Sequence, residues 1–221
     1  TGFLYDPARI RFVGRPGGTA TAAVSVVAGP DGPALSYSPG RIDPLNPAFN
    51  NSRKPLAAEF RYNGRGVFVI NNHLNSKGGD DPLFGRYQPP ARSSEIQRAQ
   101  QAMVLKGFIE QLLAADAGAR IVVLGDLNDF QFSDTLGILK SAGLETLVER
   151  LPLGERYSYV FEGNSQVLDH VLVSPGLVID GTPWVDVVHV NAEFHDRPTD
   201  HDPTLAALMV YLASEDPEFI K

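Results

Sequence analysis

The segment Ile121–Asn128 reads IVVLGDLN and places an aspartate and an asparagine directly after four apolar residues. A short apolar run that ends at a glycine predicts a buried strand. Two other segments also combine chargeable residues with an apolar run: Val167–Val173 (VLDHVLV) and Thr199–Pro203 (TDHDP). A carboxylate at the end of a buried strand is costly unless it is paired or binds a metal. We therefore expect three strand ends to form one polar cluster at the rim of a packed sheet, the layout of a metal-assisted hydrolase.

The composition is that of a globular domain, since the 221 residues are 43% hydrophobic and 20% charged. No apolar run reaches the ~18 residues of a membrane-spanning helix, so none is expected. The absence of cysteine excludes disulfides and thiolate-bound zinc. A net charge of −7 opposes tight electrostatic binding of nucleic acid, but not an enzyme in which a cation bridges protein and phosphate.

We expect one domain over residues 1–212, followed by a tail or linker over 213–221. The chain has no initiator methionine and no signal-peptide pattern, and it opens almost directly on an apolar run. We interpret it as a piece of a longer protein.

The apolar patterns predict an α+β fold with mostly antiparallel strand pairs. Strands are predicted over 3–5, 24–28, 56–62, 67–70, 120–125, 157–161, 168–174 and 204–212, and helices over 91–117 and 133–142. Asn63–Gly66 (NGRG) lies between two strands and is a strong hairpin signal. Gly118 and Gly143 are expected to end the two helices. Leu205–Leu212 is apolar throughout, so we expect both faces of the last strand to be covered.

Two strand ends carry the strongest candidates for chemistry. Asp126 and Asn128 are two residues apart and project the same way if the strand continues. The alternative is an ordinary turn in which Asx side chains bind backbone groups. Asp169 lies within an apolar strand and needs a partner such as a histidine, an arginine or a metal. His170 points to the opposite face and is interpreted as structural.

The other candidates are less specific on their own. His201 lies between Asp200 and Asp202, whose carboxylates would raise its pKa and hold its tautomer. His73 follows strand 67–70, although a simple core or surface histidine explains it equally well. Arg53 could bind a phosphate, although a solvated loop arginine is the simpler interpretation. The side chains that would offer oxygen ligands to a hard divalent cation are Asp126, Asn128 and Asp200.

Four motifs, in this order, resemble the endonuclease/exonuclease/phosphatase superfamily, which has the DNase I-like fold. They are Asn72–Lys77 (NHLNSK), Gly125–Asp129 (GDLND), Leu168–Ser174 (LDHVLVS) and Asp200–Pro203 (DHDP). The segments KPL, NNHLNSKGG and YSYVFEGNSQVLDHVLVS are most similar to the bacterial extracellular nuclease branch. The resemblance covers about residues 4–212 and implies a four-layer α/β/β/α sandwich, from which the first strands and the first helix would be missing here.

The resemblance also implies roles for single residues. His73 would donate to the scissile phosphate, Asp126 would orient or activate water, and Asn128 would hold phosphate or metal. Asp169 and His201 would form an Asp–His dyad. Three further positions would contact metal or substrate: Asp200 as a metal ligand, and Arg53 and Asn75 on the substrate. The implied cofactor is Mg²⁺, with Ca²⁺ and Mn²⁺ as alternatives, and the implied location is extracellular or periplasmic.

The chain departs from the family pattern in one respect. The family carries an Asn and a metal-binding Glu on strands that would precede Thr1, and no equivalent segment follows. The glutamates considered as replacements are Glu59 in a strand, and Glu95 and Glu110 on the long helix. We expect the parent protein to be a nuclease, and this chain alone to bind Mg²⁺ weakly and to be slow or inactive. Equal Mg²⁺-dependent DNA cleavage by this chain and a longer one would contradict that expectation.

Three functions remain open at this stage. The first is a metal-dependent nuclease acting on DNA or RNA. The second is a phosphomonoesterase or lipid phosphodiesterase of the same fold, which is less favoured because loops 29–55 and 74–90 lack an exposed aromatic hairpin; no membrane partner is expected. The third is a non-catalytic module without the metal-binding Glu. Fold alone does not choose between them.

Overall fold

The computed structural model describes residues 1–82, 84–179 and 182–211. Two α-helices are α1 (Ser93–Ala115) and α2 (Asp134–Lys140). The strands are β1 (Arg11–Phe12), β2 (Val26–Gly29), β3 (Gly32–Leu35), β4 (Gly40–Arg41), β5 (Leu56–Tyr62), β6 (Arg65–His73), β7 (Ile121–Asp126), β8 (Glu145–Thr146), β9 (Tyr159–Phe161), β10 (Asn164–Gln166), β11 (Asp169–Val173), β12 (Trp184–Val187) and β13 (Thr204–Ala207). Short 3₁₀ turns cover Pro47–Phe49, Leu147–Arg150, Leu153–Glu155 and Pro175–Leu177.

The main sheet has seven strands in the order β1-β5-β6-β7-β11-β8, and β4 pairs with β5 as well. Its pairs are antiparallel except β6–β7, which is parallel. Parallel neighbours need a long crossover, and α1 supplies it between β6 and β7. The antiparallel majority confirms the pattern expected from the sequence.

The β5–β6 hairpin forms at the predicted place. Tyr62 pairs with Arg65, so only Asn63 and Gly64 form the loop. Both have positive φ, +50° and +77°. That conformation is the one a two-residue type I′ turn requires, and it explains the Asn-Gly pair.

Two cores lie on opposite faces of the main sheet. α1 and α2 cover one face, where Leu105 and Leu112 are fully buried in the predicted apolar stripe. The other face carries Val122, Val171 and neighbours, and it packs against residues of the small β12–β13 sheet such as Val185. The DNase I-like α+β class is thus confirmed. Of the four layers expected, the described residues form three: helices, main sheet and a two-stranded second sheet.

The two helices begin and end close to the predicted residues. Ser133 is the N-cap of α2, and Gly143 follows that helix with φ +88°. α1 ends earlier than expected, because the backbone of Asp116 is already extended while its N–H still donates to the carbonyl of Leu112. Gly118 lies beyond the cap and donates its N–H to the carboxylate of Asp116, so the prediction that it ends the helix was wrong. In the described part of the chain, no helix has both the length and the apolar character needed to cross a bilayer.

Two strand predictions were wrong. Residues 3–5 form no strand; instead the Phe3 and Tyr5 rings pack on Phe60, with centroids 5.8 and 5.7 Å apart. The last strand ends at Ala207 and is covered on one face only, since Leu205 remains 54% exposed. A two-stranded sheet that is covered on one face buries only alternate residues, and a continuous run of apolar residues in the sequence does not show this. The expected tail over 213–221 lies outside the described residues.

Candidate active site

Three candidate residues stand in one row across the main sheet. His73 at the end of β6 is in register with Asp126 at the end of β7. Asp126 is in turn in register with Asp169 at the start of β11. Directly opposed residues on neighbouring strands share a face of the sheet. The sheet thereby assembles side chains that are up to 96 positions apart in sequence at one edge.

His73 and Asp126 interact directly within this row. The Nε2 atom of His73 lies 3.4 Å from Oδ2 of Asp126, and both side chains are partly exposed. Burial lowers the pKa of His73, and the charge of Arg53 lowers it further, while Asp126 partly offsets both. Burial and the like charge of Asp169 raise the pKa of Asp126. His73 is therefore biased toward neutral imidazole, and Asp126 toward a more basic carboxylate.

A tight turn places Asn128 beside Asp126. The backbone N–H of Asn128 donates to Oδ1 of Asp126 at 2.8 Å, and its Nδ2 donates to Oδ2 at 3.2 Å and to the carbonyl of Leu74. Gly125 lies just before the turn, within β7, where its φ is +122° and a Cβ would lie 2.0 Å from the carbonyl oxygen of Asn72, so the close approach of β7 to β6 requires glycine. The ordinary Asx turn is therefore present, and it also brings the Asn128 amide to the row.

Asp169 and His201 form a hydrogen-bonded pair. Nδ1 of His201 lies 2.6 Å from Oδ2 of Asp169, which also accepts from the hydroxyl of Ser158 at 2.7 Å. The hydrogen bond to Asp169 raises the pKa of His201, against an opposing effect of burial. The His201 ring lies against Tyr159, with centroids 4.8 Å apart. Because Nδ1 is held by the carboxylate, Nε2 is the atom left for chemistry.

The loop around His201 is pinned by its neighbour Asp202. That buried carboxylate accepts the N–H groups of Val190, Asn191 and Ala192 at 2.7–3.0 Å. The side chain of Asn191 donates to the carbonyl of His201 at 2.9 Å. Asp202 thus has a structural role, fixing the backbone from which His201 projects.

The structure brings together five of the predicted residues: His73, Asp126, Asn128, Asp169 and His201. Arg53 is exposed, but its charge reaches His73. Asp200 is exposed, and its charge raises the pKa of His201, yet no described contact joins it to Asp126. Asn75 uses its backbone, which accepts from Arg98 and donates to Gln101. The catalytic and binding roles assigned to all these residues remain predictions.

Sequence reasoning missed a second polar centre, which we call the Asp129 hub. Asp129 is buried and binds Nε of Arg98 at 2.9 Å, Nζ of Lys77 at 3.3 Å and the hydroxyl of Thr135 at 2.8 Å. Its carbonyl accepts from Nε2 of His170 at 2.8 Å, which confirms the structural interpretation of that buried histidine. The sequence did contain an indication of this hub, because Arg98 lies on the buried face of α1 and a buried charge is costly unless it is paired.

A model of the Endonuclease/Exonuclease/phosphatase family matches residues 6–201. The chain belongs to this family. The family name covers two kinds of nuclease as well as phosphatases, so membership alone leaves the substrate open. A search of curated proteins found no match.

Solved structures of similar fold include relatives with quite different substrates. Humanized D. rerio TDP2 has a TM-score of 0.56 and 15% identity, with 92% of this chain and 69% of that one covered. D. rerio TDP2 complexed with single strand DNA product has a TM-score of 0.51 and 15% identity, covering 92% and 70%. Sphingomyelinase C from Streptomyces griseocarneus has a TM-score of 0.50 and 17% identity, covering 70% and 57%. The chain thus covers 57–70% of the length of these proteins, and such low identities establish the fold alone.

The residues at the row fit a divalent cation only in part. Burial and, after it, the neighbouring carboxylate of Asp169 raise the pKa of Asp126, and a cation there would offset the repulsion between the two carboxylates. Mg²⁺ is commonly held by one or two carboxylates, with water and substrate oxygens as the other ligands. Within the described ranges, no group of three or more His, Cys, Asp or Glu residues is placed to hold a metal. Asp126 and Asn128 therefore provide a partial ligand set.

The glutamates considered as replacement ligands do not complete this set. Glu59 is buried and paired with Arg15, Glu95 is paired with Arg92, and Glu110 with Lys106. Each of these carboxylates is thus engaged with a basic residue of its own.

Proposed function

We propose that the protein hydrolyses phosphodiesters with the help of a divalent cation, and that its substrate is nucleic acid. The observation that carries the proposal is the row of His73, Asp126 and Asp169 across three strands, extended by His201. Family membership supports a hydrolytic reaction at phosphate. The similarity to D. rerio TDP2 complexed with single strand DNA product supports a nucleic acid as substrate.

Each of these side chains has a distinct role in the proposed reaction. Asp126, whose pKa is raised, accepts the proton of the attacking water and orients it. His201, whose pKa is raised by Asp169, is biased toward imidazolium. As the water oxygen bonds to phosphorus and the P–O bond of the leaving group breaks, Nε2 of His201 donates a proton to the leaving oxygen. His73 donates a hydrogen bond to the phosphate, and Arg53 adds positive charge near it. A divalent cation at Asp126 and Asn128 would neutralise further charge when bound.

A second candidate is a lipid phosphodiesterase, which the similarity to the Streptomyces griseocarneus sphingomyelinase C favours. Phosphomonoesterase activity and a purely non-catalytic fold are further alternatives. The extracellular or periplasmic location stays a proposal that rests on resemblance. A substrate comparison separates these possibilities.

Three substrates should be assayed with Mg²⁺ and with a chelator: a single-stranded oligonucleotide, sphingomyelin vesicles and p-nitrophenyl phosphate. We expect metal-dependent cleavage of the oligonucleotide, and a loss of about 10²- to 10⁴-fold on His201→Ala. His195→Ala is the matched control, because His195 is an exposed histidine of the same loop. Hydrolysis of none of the three substrates, or full activity of His201→Ala, would refute the proposal.

A further inference from the structure

Two phenylalanines next to the row form an exposed stack that the proposed reaction does not use. The Phe130 and Phe132 rings have centroids 5.3 Å apart and planes inclined by 25°. Phe130 is half-buried, whereas Phe132 is 78% exposed. We call this pair the Phe130–Phe132 platform. Single exposed apolar residues are common on protein surfaces, but this exposed ring is stacked on a second ring two residues from Asn128, which makes it a candidate binding surface.

The platform lies next to the candidate active site in sequence and shares contacts with it. Phe130 follows Asn128 by two residues, and Lys77 spans both, because its Nζ binds the carbonyl of Asn128 and lies 4.4 Å from the centroid of the Phe130 ring. The Asp129 hub holds the residue between them from three sides. Phe132 is four residues beyond Asn128, at most ~14 Å along an extended chain. A group stacked on Phe132 would therefore neighbour a phosphate bound at the row.

Charge around the platform favours a phosphate-bearing ligand. Arg98 and Lys77 both bind the carboxylate of Asp129, and the ammonium group of Lys77 is the cation that lies over the Phe130 ring. Arg53 adds another near His73. These cations stand out in a chain with a net charge of −7. A polyanion would thus be attracted to this place in spite of the overall repulsion.

The same charge disfavours the lipid alternative. A choline headgroup is a quaternary ammonium that would bind an aromatic face, but Lys77 already occupies a face of Phe130 and would repel a second cation. The residues flanking Phe132 in sequence are Gln131 and Ser133, so Phe132 has no apolar sequence neighbour that would enter a bilayer with it. A nucleobase, in contrast, has a flat π-face that stacks on such a ring while its phosphates meet the cations.

We infer that the Phe130–Phe132 platform stacks a nucleobase next to the scissile phosphate, and that the protein acts on single-stranded nucleic acid, whose bases are free to stack. This inference rests on the proposed function and specifies its substrate class. The platform recognises no base edge, so it should accept many sequences.

Binding is measured by fluorescence anisotropy, with chelator present, for a labelled oligothymidylate and for an abasic tetrahydrofuran oligomer of equal length. Stacking is worth ~1–3 kcal/mol per base, so Phe132→Ala should weaken oligothymidylate binding by about 5- to 150-fold. Binding of the abasic oligomer should not change. Phe132→Tyr, which keeps the ring, should behave like the wild type.

Tyr62→Ala is the matched control, because Tyr62 is an exposed aromatic at the opposite end of the main sheet. An equal loss on both oligomers, no loss on either, or no measurable binding of oligothymidylate by the wild type would overturn the inference. If Phe132→Ala weakened binding to sphingomyelin vesicles but not to oligothymidylate, that result would also overturn the inference and would indicate a lipid-binding surface.

Hydrolysis of the same two oligomers with Mg²⁺ separates this inference from the proposed function. Cleavage of both by the wild type, without a base-dependent effect of Phe132→Ala, refutes the platform alone. Base-dependent binding without cleavage of either oligomer refutes the proposed hydrolysis and supports the platform.

Discussion

Asp126 ends β7 and Asp129 follows it by three residues, yet their surroundings are opposite. Asp129 is buried among two cations and a hydroxyl, and Lys77 and Arg98 hold its pKa below the ordinary value although burial alone would raise it. Asp126 is partly exposed, faces a second carboxylate, and has a raised pKa. A carboxylate paired with cations and hydrogen-bond donors stabilises the fold. A partly buried carboxylate that faces another carboxylate binds a proton or a cation more readily.

The sharpest test of this contrast is activity. Asp126→Asn removes the carboxylate but keeps its shape, so hydrolysis should fall by about 10²- to 10⁴-fold. The free energy of unfolding should change by less than ~1 kcal/mol, because no buried cation loses its partner. Kinetics and urea unfolding of the same sample check both expectations. A variant that retains activity would remove Asp126 from the mechanism.

Asp129→Asn should have its main effect on stability. The change leaves Arg98 buried without a full countercharge, and breaking such a pair costs about 3–5 kcal/mol in the free energy of unfolding. Urea denaturation measures it directly. The double variant Arg98→Met, Asp129→Leu should cost less than the single change, because the fully buried Arg98 is no longer left without a countercharge. A single variant as stable as the wild type would show that the hub is not structural.

Ser158→Ala should have an intermediate effect. The Ser158 hydroxyl donates to Asp169 and accepts the N–H groups of Leu168 and Asp169 at 3.2 and 3.1 Å. Its loss should lower the free energy of unfolding by about 1–3 kcal/mol. Ser165→Ala on β10 serves as control, since Ser165 is exposed. Equal stability of the two variants would contradict the assigned role.

The smallest expected effect is on the two histidines. In an NMR titration, the pKa of His201 should lie above 6.5 and that of His73 below it. Asp169→Asn should lower the pKa of His201, which should still lie above that of His73. Because its folded-state pKa is raised, His201 stabilises the fold at low pH, and this contribution is lost as the pH rises through that pKa. The reverse order of the two pKa values would contradict the assigned contacts.

The sequence predicted the row well because its signal is local. Each strand was predicted from a run of apolar residues, and a polar residue near the end of such a strand is expected to lie at the edge of the sheet. The hub depends instead on α1 meeting the loop after β7, so Arg98 and Asp129 show no pattern until the chain has folded. The apolar runs at residues 3–5 and 205–212 failed for a related reason, because burial depends on which surface lies opposite.

The parallel pair β6–β7 has a consequence for how the protein folds. It joins His73 to Asp126, but 47 residues, including α1, separate β6 from β7. A hairpin such as β5–β6 closes quickly, whereas a pairing across so long a crossover must first lose much loop entropy. A partly folded chain can thus hold its hairpins and still lack the row. The appearance of the His73–Asp126 contact during refolding would therefore mark a late, long-range step rather than the formation of secondary structure.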